Sequence, residues 1–175
     1  MVKRALLYQC ELEKCILNMI DDFKFMYYYS APFPNVESLI PRTDNICNQN
    51  AFVSVDSNNE VIGMITYDFS VSDLATYNWR IASFKDKPNI VFARDVLKVI
   101  DDVFCKYNFN KMEFSAISGN PILKSYRKFI KKYDGVEVGC RRQHCKLMDQ
   151  QLHDVYYFDV FAEGYKRRKN GDNNK

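Results

Sequence analysis

The sequence lacks the patterns that would indicate a metalloprotein, a membrane protein or a secreted protein. None of its six cysteines forms a C-x-x-C pair, the spacing typical of zinc ligands and redox motifs. Cys140, His144 and Cys145 lie close together, but in a strand the last two would face opposite sides of the sheet. No apolar run reaches the roughly 18 residues of a membrane span, and no apolar secretory segment follows Met1. We therefore expect no metal, no membrane span, and reduced thiols in the cytoplasm.

Charge and composition narrow the possible class of protein further. The formal net charge of +3 is far below that of a dedicated nucleic-acid-binding protein, so we do not expect nucleic acid as a partner. Hydrophobic residues make up 47% and charged residues 27%, which is typical of a globular domain. Residues 1–165 fit one domain. Residues 166–175 are polar and basic without apolar periodicity, and this predicts a disordered tail.

The spacing of apolar residues predicts alternating strands and helices. A proline-containing stretch at residues 30–34 should end the first helix, and Asn in the turn at 57–59 can adopt the positive φ of a hairpin. The predicted order is a strand over 2–10, a helix over 12–29, a short helix over 35–47, strands over 51–56, 60–67 and 75–84, a helix over 90–107, a strand over 111–118, a helix over 122–133, and a closing hairpin from 136–139 and 147–158.

The second half of the chain carries the most specific pattern. The strand-like run 111–118 ends at Gly119-Asn120-Pro121 and passes into a helix whose apolar face includes Tyr126. This arrangement resembles the acetyl-CoA site of the GNAT superfamily of N-acetyltransferases, and the element order of nearly the whole chain agrees. The resemblance implies an α/β fold: a mixed, mostly antiparallel sheet of about seven strands with a V-shaped splay, and helices on both faces.

The resemblance also implies an activity. We expect transfer of an acetyl group from acetyl-CoA to a primary amine by direct attack in a ternary complex. The acceptor would be a small molecule, a protein N-terminus or a lysine, and the enzyme a monomer or homodimer. The general base stays open among Glu113, Asp68, Asp73 and His144. The alternative is a non-catalytic GNAT-fold binding module that has lost the family's glycine-rich phosphate loop.

Four residues outside that loop are implied to contact the cofactor or the reaction. Backbone groups near Ala82 and Phe84 would pair with the pantetheine arm at the splay. Asn120 matches an Asn that contacts the cofactor and is also a good helix cap. Tyr126 matches the Tyr that protonates the departing thiolate, and it would also pack in the core.

The glycine-rich loop is where the sequence departs from the family. Counting back without gaps puts Lys87 at the first position of the glycine motif and Ile90 and Phe92 at its two glycines, where side chains would hinder phosphate binding. We favour a loop of different length, because Phe92 continues the apolar stripe of the following helix. In that case the phosphates would meet backbone amides from Asn89, Ile90, Val91, Phe92 and Ala93, with positive charge from Lys85, Lys87 and Arg94.

Overall fold

The computed structural model describes residues 1–20, 22, 26–27 and 48–172, and this part of the chain forms one seven-stranded sheet with four helices. The strands are β1 (Val2–Arg4), β2 (Gln49–Val55), β3 (Val61–Ser70), β4 (Ala75–Ser83), β5 (Lys111–Ile117), β6 (Val136–Lys146) and β7 (Leu152–Phe161). The helices are α1 (Gln9–Ile20), α2 (Ile90–Asp101), α3 (Ile122–Lys132) and α4 (Ala162–Asp172). The predicted helix over 35–47, the break at 30–34 and most of residues 21–29 lie outside the described residues.

The strand order is β1-β2-β3-β4-β5-β7-β6. All neighbours are antiparallel except β4 and β5, which are parallel. This parallel pair is joined by the long connection that contains α2, as parallel strands require. The mixed, mostly antiparallel sheet predicted from the sequence is confirmed.

Helices cover both faces of the sheet. On one face, Leu12 and Ile16 of α1 pack against Val53 and Met64 of the sheet. On the other face, a larger cluster joins the three remaining helices to β3, β4, β5 and β7. The members of that second cluster on the helices include Val99, Ile100, Ile130, Ala162 and Tyr165. The prediction of helices on both faces is also confirmed.

The hairpin predicted around residues 57–59 is present. β2 and β3 pair antiparallel from Gln49–Asp68 to Val55–Val61. Asn59 in the turn has φ 63°, the left-handed conformation that Asn tolerates better than most residues. The Asp56 carboxylate accepts the N–H groups of Asn58 and Glu60, which stabilises the same turn.

The first strand is shorter than predicted. Only Val2–Arg4 pairs with β2, and Ala5–Tyr8 forms a 3₁₀ turn that leads into α1 at Gln9. In this turn Ala5 is buried, whereas Leu6 and Leu7 are 46% and 74% exposed. The apolar run over 2–10 was therefore wrongly predicted as one strand, because its leucines face solvent rather than a sheet partner.

The closing hairpin is longer on its first arm than predicted. β6 extends to Lys146, and residues 147–151 form the turn, where the Gln150 N–H donates to the Leu147 carbonyl over 2.9 Å. Gln150 has φ 63°, so it occupies a turn position that glycine favours. Leu147 is completely buried, and its burial in the turn explains why it resembled a strand residue.

The predicted disordered tail is wrong for residues 166–172, which belong to α4. Ion pairs and hydrogen bonds hold this polar helix against the body of the protein. Arg167 and Arg168 both contact Asp134, each with a closest distance of 2.7 Å, and Lys169 contacts Asp101. The partners lie more than 30 residues away in sequence, so no local pattern reveals them. Residues 173–175 lie outside the described part of the chain.

Candidate active site

β4 and β5 separate soon after they begin to pair. Their only paired residues are Ala75–Lys111 and Thr76–Met112, and beyond these pairs the strands diverge. This is the predicted splay. A cavity of about 460 Å³ lies between the diverging strands. Its walls come from β4, β5, the start of α3, β6, β7 and one residue between α1 and β2: Tyr27, Trp79, Arg80, Ile81, Ser115, Ala116, Ile117, Asn120, Ile122, Tyr126, His144, Cys145, Val155 and Tyr157.

The backbone groups of β4 that face the splay are not those expected. The Phe84 N–H donates to the Ile62 carbonyl of β3 over 3.0 Å. Backbone groups alternate sides along a strand, so the groups of Ala82 also point towards β3. Ile81 and Ser83 therefore present their N–H and C=O groups to the splay. The prediction of free groups at Ala82 and Phe84 is corrected by one residue.

The backbone amides at the N-terminus of α2 are capped by Asn89, the residue before the helix. The Asn89 side-chain oxygen accepts the N–H groups of Val91 and Phe92, at 2.9 and 3.1 Å. The Asn89 main-chain carbonyl accepts the N–H of Ala93 at 3.0 Å. Three of the amides expected to meet a pyrophosphate thus have partners inside the protein. Asn immediately before an apolar-periodic helix is the sequence signal for such a cap, and the sequence analysis missed it.

The side chains of Ile90 and Phe92 have different environments. Phe92 is 7% exposed, and its ring lies against Gly63 in β3. Ile90 is 74% exposed. The preferred interpretation, in which Phe92 belongs to the apolar face of α2, is confirmed, but Ile90 does not share that face. Of the lysines predicted to supply charge, Lys87 is exposed and Lys85 lies 3.6 Å from Glu60.

Asn120 lies where the splay meets α3. Its side-chain oxygen accepts the Ile122 N–H at 3.0 Å, while its main-chain N–H donates to the Ile117 carbonyl at 3.1 Å. Asn120 therefore caps the helix, and it also lines the cavity. The two predicted roles use different parts of the residue, since the carboxamide oxygen serves the cap and the NH₂ group remains a donor.

Tyr126 is half-buried on the inner face of α3. Its ring packs edge-on against Phe114 and Phe158, with ring centroids 4.8 and 6.0 Å apart. Tyr126 also lines the cavity. The aromatic contacts fix the ring while one part of the side chain reaches the cavity, so the packing and chemical roles predicted for it are compatible.

Of the four candidate general bases, only His144 lines the cavity. Glu113 forms an ion pair with Lys111. Asp68 accepts hydrogen bonds from Gln49 and Asn78, and Asp73 accepts one from Ser70 in the β3–β4 turn.

A bulge in β6 presents His144 to the cavity. Arg141 pairs with Val155 and Cys145 pairs with His153, so three residues of β6 oppose one residue of β7. Gln143 within the bulge has φ 49°, and its N–H donates to the Asp154 carboxylate at 2.8 Å. The alternation argument applied to an uninterrupted strand therefore does not hold here.

The second histidine, His153, is held by contacts with neighbouring side chains. His153 contacts Asp149 of the β6–β7 turn at 2.8 Å and lies edge-on to Tyr27, with ring centroids 6.3 Å apart.

A thiol also lines the cavity. Cys145 is 8% exposed, and burial raises the pKa of its thiol. Its sulfur lies 3.9 Å from the His153 carbonyl oxygen, to which it donates a weak hydrogen bond. A thiol kept protonated by burial is a poor nucleophile.

Trp79 and Arg80 are among the cavity residues that the sequence did not predict. The only tryptophan of the chain, Trp79, stacks on Tyr67 with ring centroids 4.5 Å apart and donates its indole N–H to Thr76 at 3.1 Å. Arg80 follows it in the same wall. Both are positioned by an irregularity in β4 at Asn78, which has φ 53°. The only sequence signal is an Asn inside a strand-like run.

An adjoining cleft of about 560 Å³ shares Ser115 and Tyr157 with the cavity. It contains two carboxylates, Glu113 and Asp159, which face each other across β5 and β7. Burial raises the pKa of Asp159, with Lys111 opposing and Glu113 reinforcing the shift. The cavity itself has no Asp or Glu among its described lining residues, whereas the cleft combines these two carboxylates with the basic side chains of Lys111 and Arg141.

The sheet order, the splay and the cavity at the splay are features of the GNAT fold, and comparison with solved structures agrees. The chain is similar to spermidine N-acetyltransferase from Vibrio cholerae in complex with CoA and spermine, with 16% identity, a TM-score of 0.74, and coverage of 94% of this chain and 96% of that chain. It is also similar to the spermidine/spermine N-acetyltransferase of Vibrio cholerae in complex with manganese ions, with 17% identity, a TM-score of 0.70, and coverage of 96% and 95%. At these identities the similarity establishes the fold.

Comparison by sequence gives no match. No family model matches the chain, and no curated protein does. Within the described ranges, no group of three or more His, Cys, Asp or Glu residues is arranged to hold a metal ion. No helix among residues 1–20 and 48–172 is long and apolar enough to cross a membrane.

Proposed function

We propose that the protein is an N-acetyltransferase that moves an acetyl group from acetyl-CoA to a primary amine by direct attack. The observation that carries this proposal is the cavity at the splay, where Asn120, Tyr126 and His144 meet between the diverging strands. Beside it, the backbone groups of Ile81 and Ser83 lie on an edge of β4 that no described strand pairs with, and they suit the amides of a pantetheine arm. In solved structures that share this fold, the same architecture serves amine acetylation.

The proposed mechanism contains two proton transfers, one to His144 and one from Tyr126. The amine nitrogen attacks the thioester carbonyl carbon, and His144 accepts the proton that the amine loses. The carbon–sulfur bond then breaks, and Tyr126 donates its phenolic proton to the departing thiolate. Histidine changes charge in the neutral range, which suits a proton acceptor at physiological pH. A backbone N–H at the end of β4 would stabilise the negative charge that develops on the carbonyl oxygen.

The raised pKa of the Cys145 thiol disfavours a covalent acyl-enzyme intermediate. This thiol lines the cavity, but burial raises its pKa. A nucleophilic cysteine needs the opposite shift, towards the thiolate. Direct attack by the amine in a ternary complex requires no such nucleophile.

The acceptor we propose is a primary amine, either of a small molecule or of a protein N-terminus or lysine. The cleft that adjoins the cavity contains Glu113 and Asp159 together with Lys111 and Arg141, so its charges do not by themselves select the acceptor. The similar structures come from enzymes named for spermidine, so polyamines are the first acceptors to test. The five cysteines in the described residues are all free thiols, which suits a reducing compartment such as the cytoplasm.

The test is thiol release from acetyl-CoA in the presence of a panel of primary amines, including spermidine and unblocked peptides. Release that depends on both substrates supports the proposal, and a reaction without amine is the control. Binding is followed separately through the fluorescence of Trp79, which lines the cavity. Acetyl-CoA at 100 times its dissociation constant should stabilise the fold by about 2.7 kcal/mol. No binding and no melting shift at millimolar acetyl-CoA would favour a non-catalytic binding module.

A further inference from the structure

We infer that this protein binds its acyl donor through the pantetheine arm and the thioester. The pyrophosphate does not contact the backbone amides at the start of α2, because the Asn89 side chain already accepts their hydrogen bonds. The inference rests on the proposed function and specifies how that site recognises its donor. It predicts that the nucleotide part of acetyl-CoA contributes little to affinity.

The first step of the argument is the hydrogen bonding at the start of α2. An anion at a helix N-terminus is held by N–H groups that have no partner in the helix. Here the Asn89 side chain takes the Val91 N–H at 2.9 Å and the Phe92 N–H at 3.1 Å. A phosphate oxygen that approached these groups would have to displace the carboxamide oxygen.

The second step is the position of Phe92. Its ring lies against Gly63, so that a methyl group on Gly63 would come within 2.6 Å of Phe92 Cδ2 and 2.8 Å of the Ala82 carbonyl oxygen. This close packing fixes the first turn of α2 on the sheet. The turn cannot withdraw to open a wider loop without exposing a side chain that is only 7% accessible.

The third step is the positive charge near the loop. Lys85, Lys87 and Arg94 are exposed, and Lys85 already lies 3.6 Å from Glu60. Exposed lysines attract a pyrophosphate without fixing its geometry, and salt screens that attraction over about 8 Å at physiological ionic strength. The remaining interaction with the nucleotide is therefore weak and sensitive to salt.

The fourth step is the contrast with the cavity. A cavity of about 460 Å³, the edge of β4 at Ile81 that no described strand pairs with, and the polar groups of Asn120 and Tyr126 all lie at the splay. These features match the pantetheine arm and the thioester. Recognition is thus concentrated on the part of the donor that reacts.

The experiment compares acetyl-CoA with S-acetylpantetheine, which lacks the nucleotide. Affinities are measured by Trp79 fluorescence on the wild-type chain, on Asn89→Gly and on Asn58→Gly. Glycine at a cap position retains most of the helix stability, and Asn58 is an exposed turn residue that serves as the matched control. Melting temperatures show that each variant is folded.

In the wild type, we expect the two donors to bind within about tenfold of each other, because no charge-assisted amide contact is added by the nucleotide. Asn89→Gly should open the amides and tighten acetyl-CoA alone by about tenfold, the effect of one such contact. Asn58→Gly should match the wild type. In the wild type, saturating acetyl-CoA should also leave the amide NMR signals of Val91 and Phe92 unshifted.

Three results would overturn the inference. One is a wild-type preference for acetyl-CoA of more than about a hundredfold, which would require several amide contacts. Another is an Asn89→Gly variant that binds acetyl-CoA no better than the wild type does. The third is a shift of the Val91 and Phe92 signals on binding. In each case amine acetylation could still proceed and the proposed function would stand. If neither donor binds to any folded variant, the proposed function fails as well.

Discussion

The ring of Phe92 lies against the α-carbon of Gly63, and this contact joins the first turn of α2 to the beginning of β3. Gly63 sits within an apolar strand, and Phe92 stands where the family's phosphate loop would have a glycine. The glycine that allows close approach is therefore on the sheet, and the aromatic side chain on the helix fills the space above it.

Gly63→Ala should destabilise the fold. Its new methyl group would lie 2.6 Å from Phe92 Cδ2 and 2.8 Å from the Ala82 carbonyl oxygen. Overpacking of this kind costs about 1–3 kcal/mol. Gly139→Ala is the matched control, because no atom lies within 4 Å of the position its methyl group would take. Urea unfolding of the two variants measures the difference. Equal stability of both would show that the helix moves away from the sheet without cost.

Phe92 and Ile90 provide a second comparison. Phe92→Ala removes a side chain that is 7% exposed and should cost about 3–5 kcal/mol. Ile90→Ala changes a side chain that is 74% exposed and should stay within about 0.5 kcal/mol of the wild type. Thermal and urea unfolding would measure both. A large loss from Ile90→Ala would mean that its side chain is covered by a part of the protein outside the described residues.

Local signals were enough to predict the β2–β3 hairpin. Alternating β-branched and aromatic residues around an Asn-containing turn specified two paired strands, and Asn59 has the positive φ that the turn requires. The start of α3 was also predictable from the sequence, because Asn120 before Pro121 is a good helix start. In the structure the Asn120 side chain accepts the Ile122 N–H. The splay was predicted only through the resemblance, since it depends on strands about 35 residues apart.

Long-range contacts and irregular strands explain what the sequence could not predict. The bulge at Gln143 turns His144 towards the cavity, and it is stabilised by the Asp154 carboxylate from the neighbouring strand. Helix α4 has too few apolar residues to show a helical pattern, and it is held by Asp134 more than 30 residues earlier. Neither relationship produces a periodic pattern in the amino-acid sequence.

Tyr126→Phe should lower turnover while leaving acetyl-CoA affinity nearly unchanged. In the proposed mechanism the phenolic proton is required only when the thiolate leaves, and the phenylalanine ring retains the contacts with Phe114 and Phe158. Acid catalysis usually contributes about 10²–10⁴-fold. Steady-state kinetics and fluorescence titration measure the two quantities separately. A variant with wild-type turnover would assign Tyr126 to packing alone.

His144→Gln should lower turnover and change the shape of the pH–rate profile, because the proposed acceptor of the amine proton is removed. Glutamine keeps a polar side chain at this exposed position but cannot accept the amine proton. The matched control is His153→Gln, whose ring contacts Asp149 in the hairpin turn rather than lining the cavity. Profiles of kcat/KM against pH for both variants provide the measurement. An unchanged profile in His144→Gln would remove it from the proposed proton transfer.

The docking of α4 should depend on pH through Asp134. Hydrogen bonds and ion pairs from Arg168 and then Arg167 lower the pKa of this carboxyl to about 2, from an ordinary value of 3.8. Because the pKa in the folded protein is the lower one, the contribution to stability is fully present above pH 4 or so and is lost as the pH falls from 3.8 towards 2. Melting temperature and helical circular dichroism, measured across this range at low salt, should fall together. Asp134→Asn should lose this response, whereas Glu163→Gln, which alters a side chain that is 90% exposed on the same helix, should retain it. An Asp134→Asn variant with the wild-type pH response would show that other carboxyl groups control the acid stability of α4.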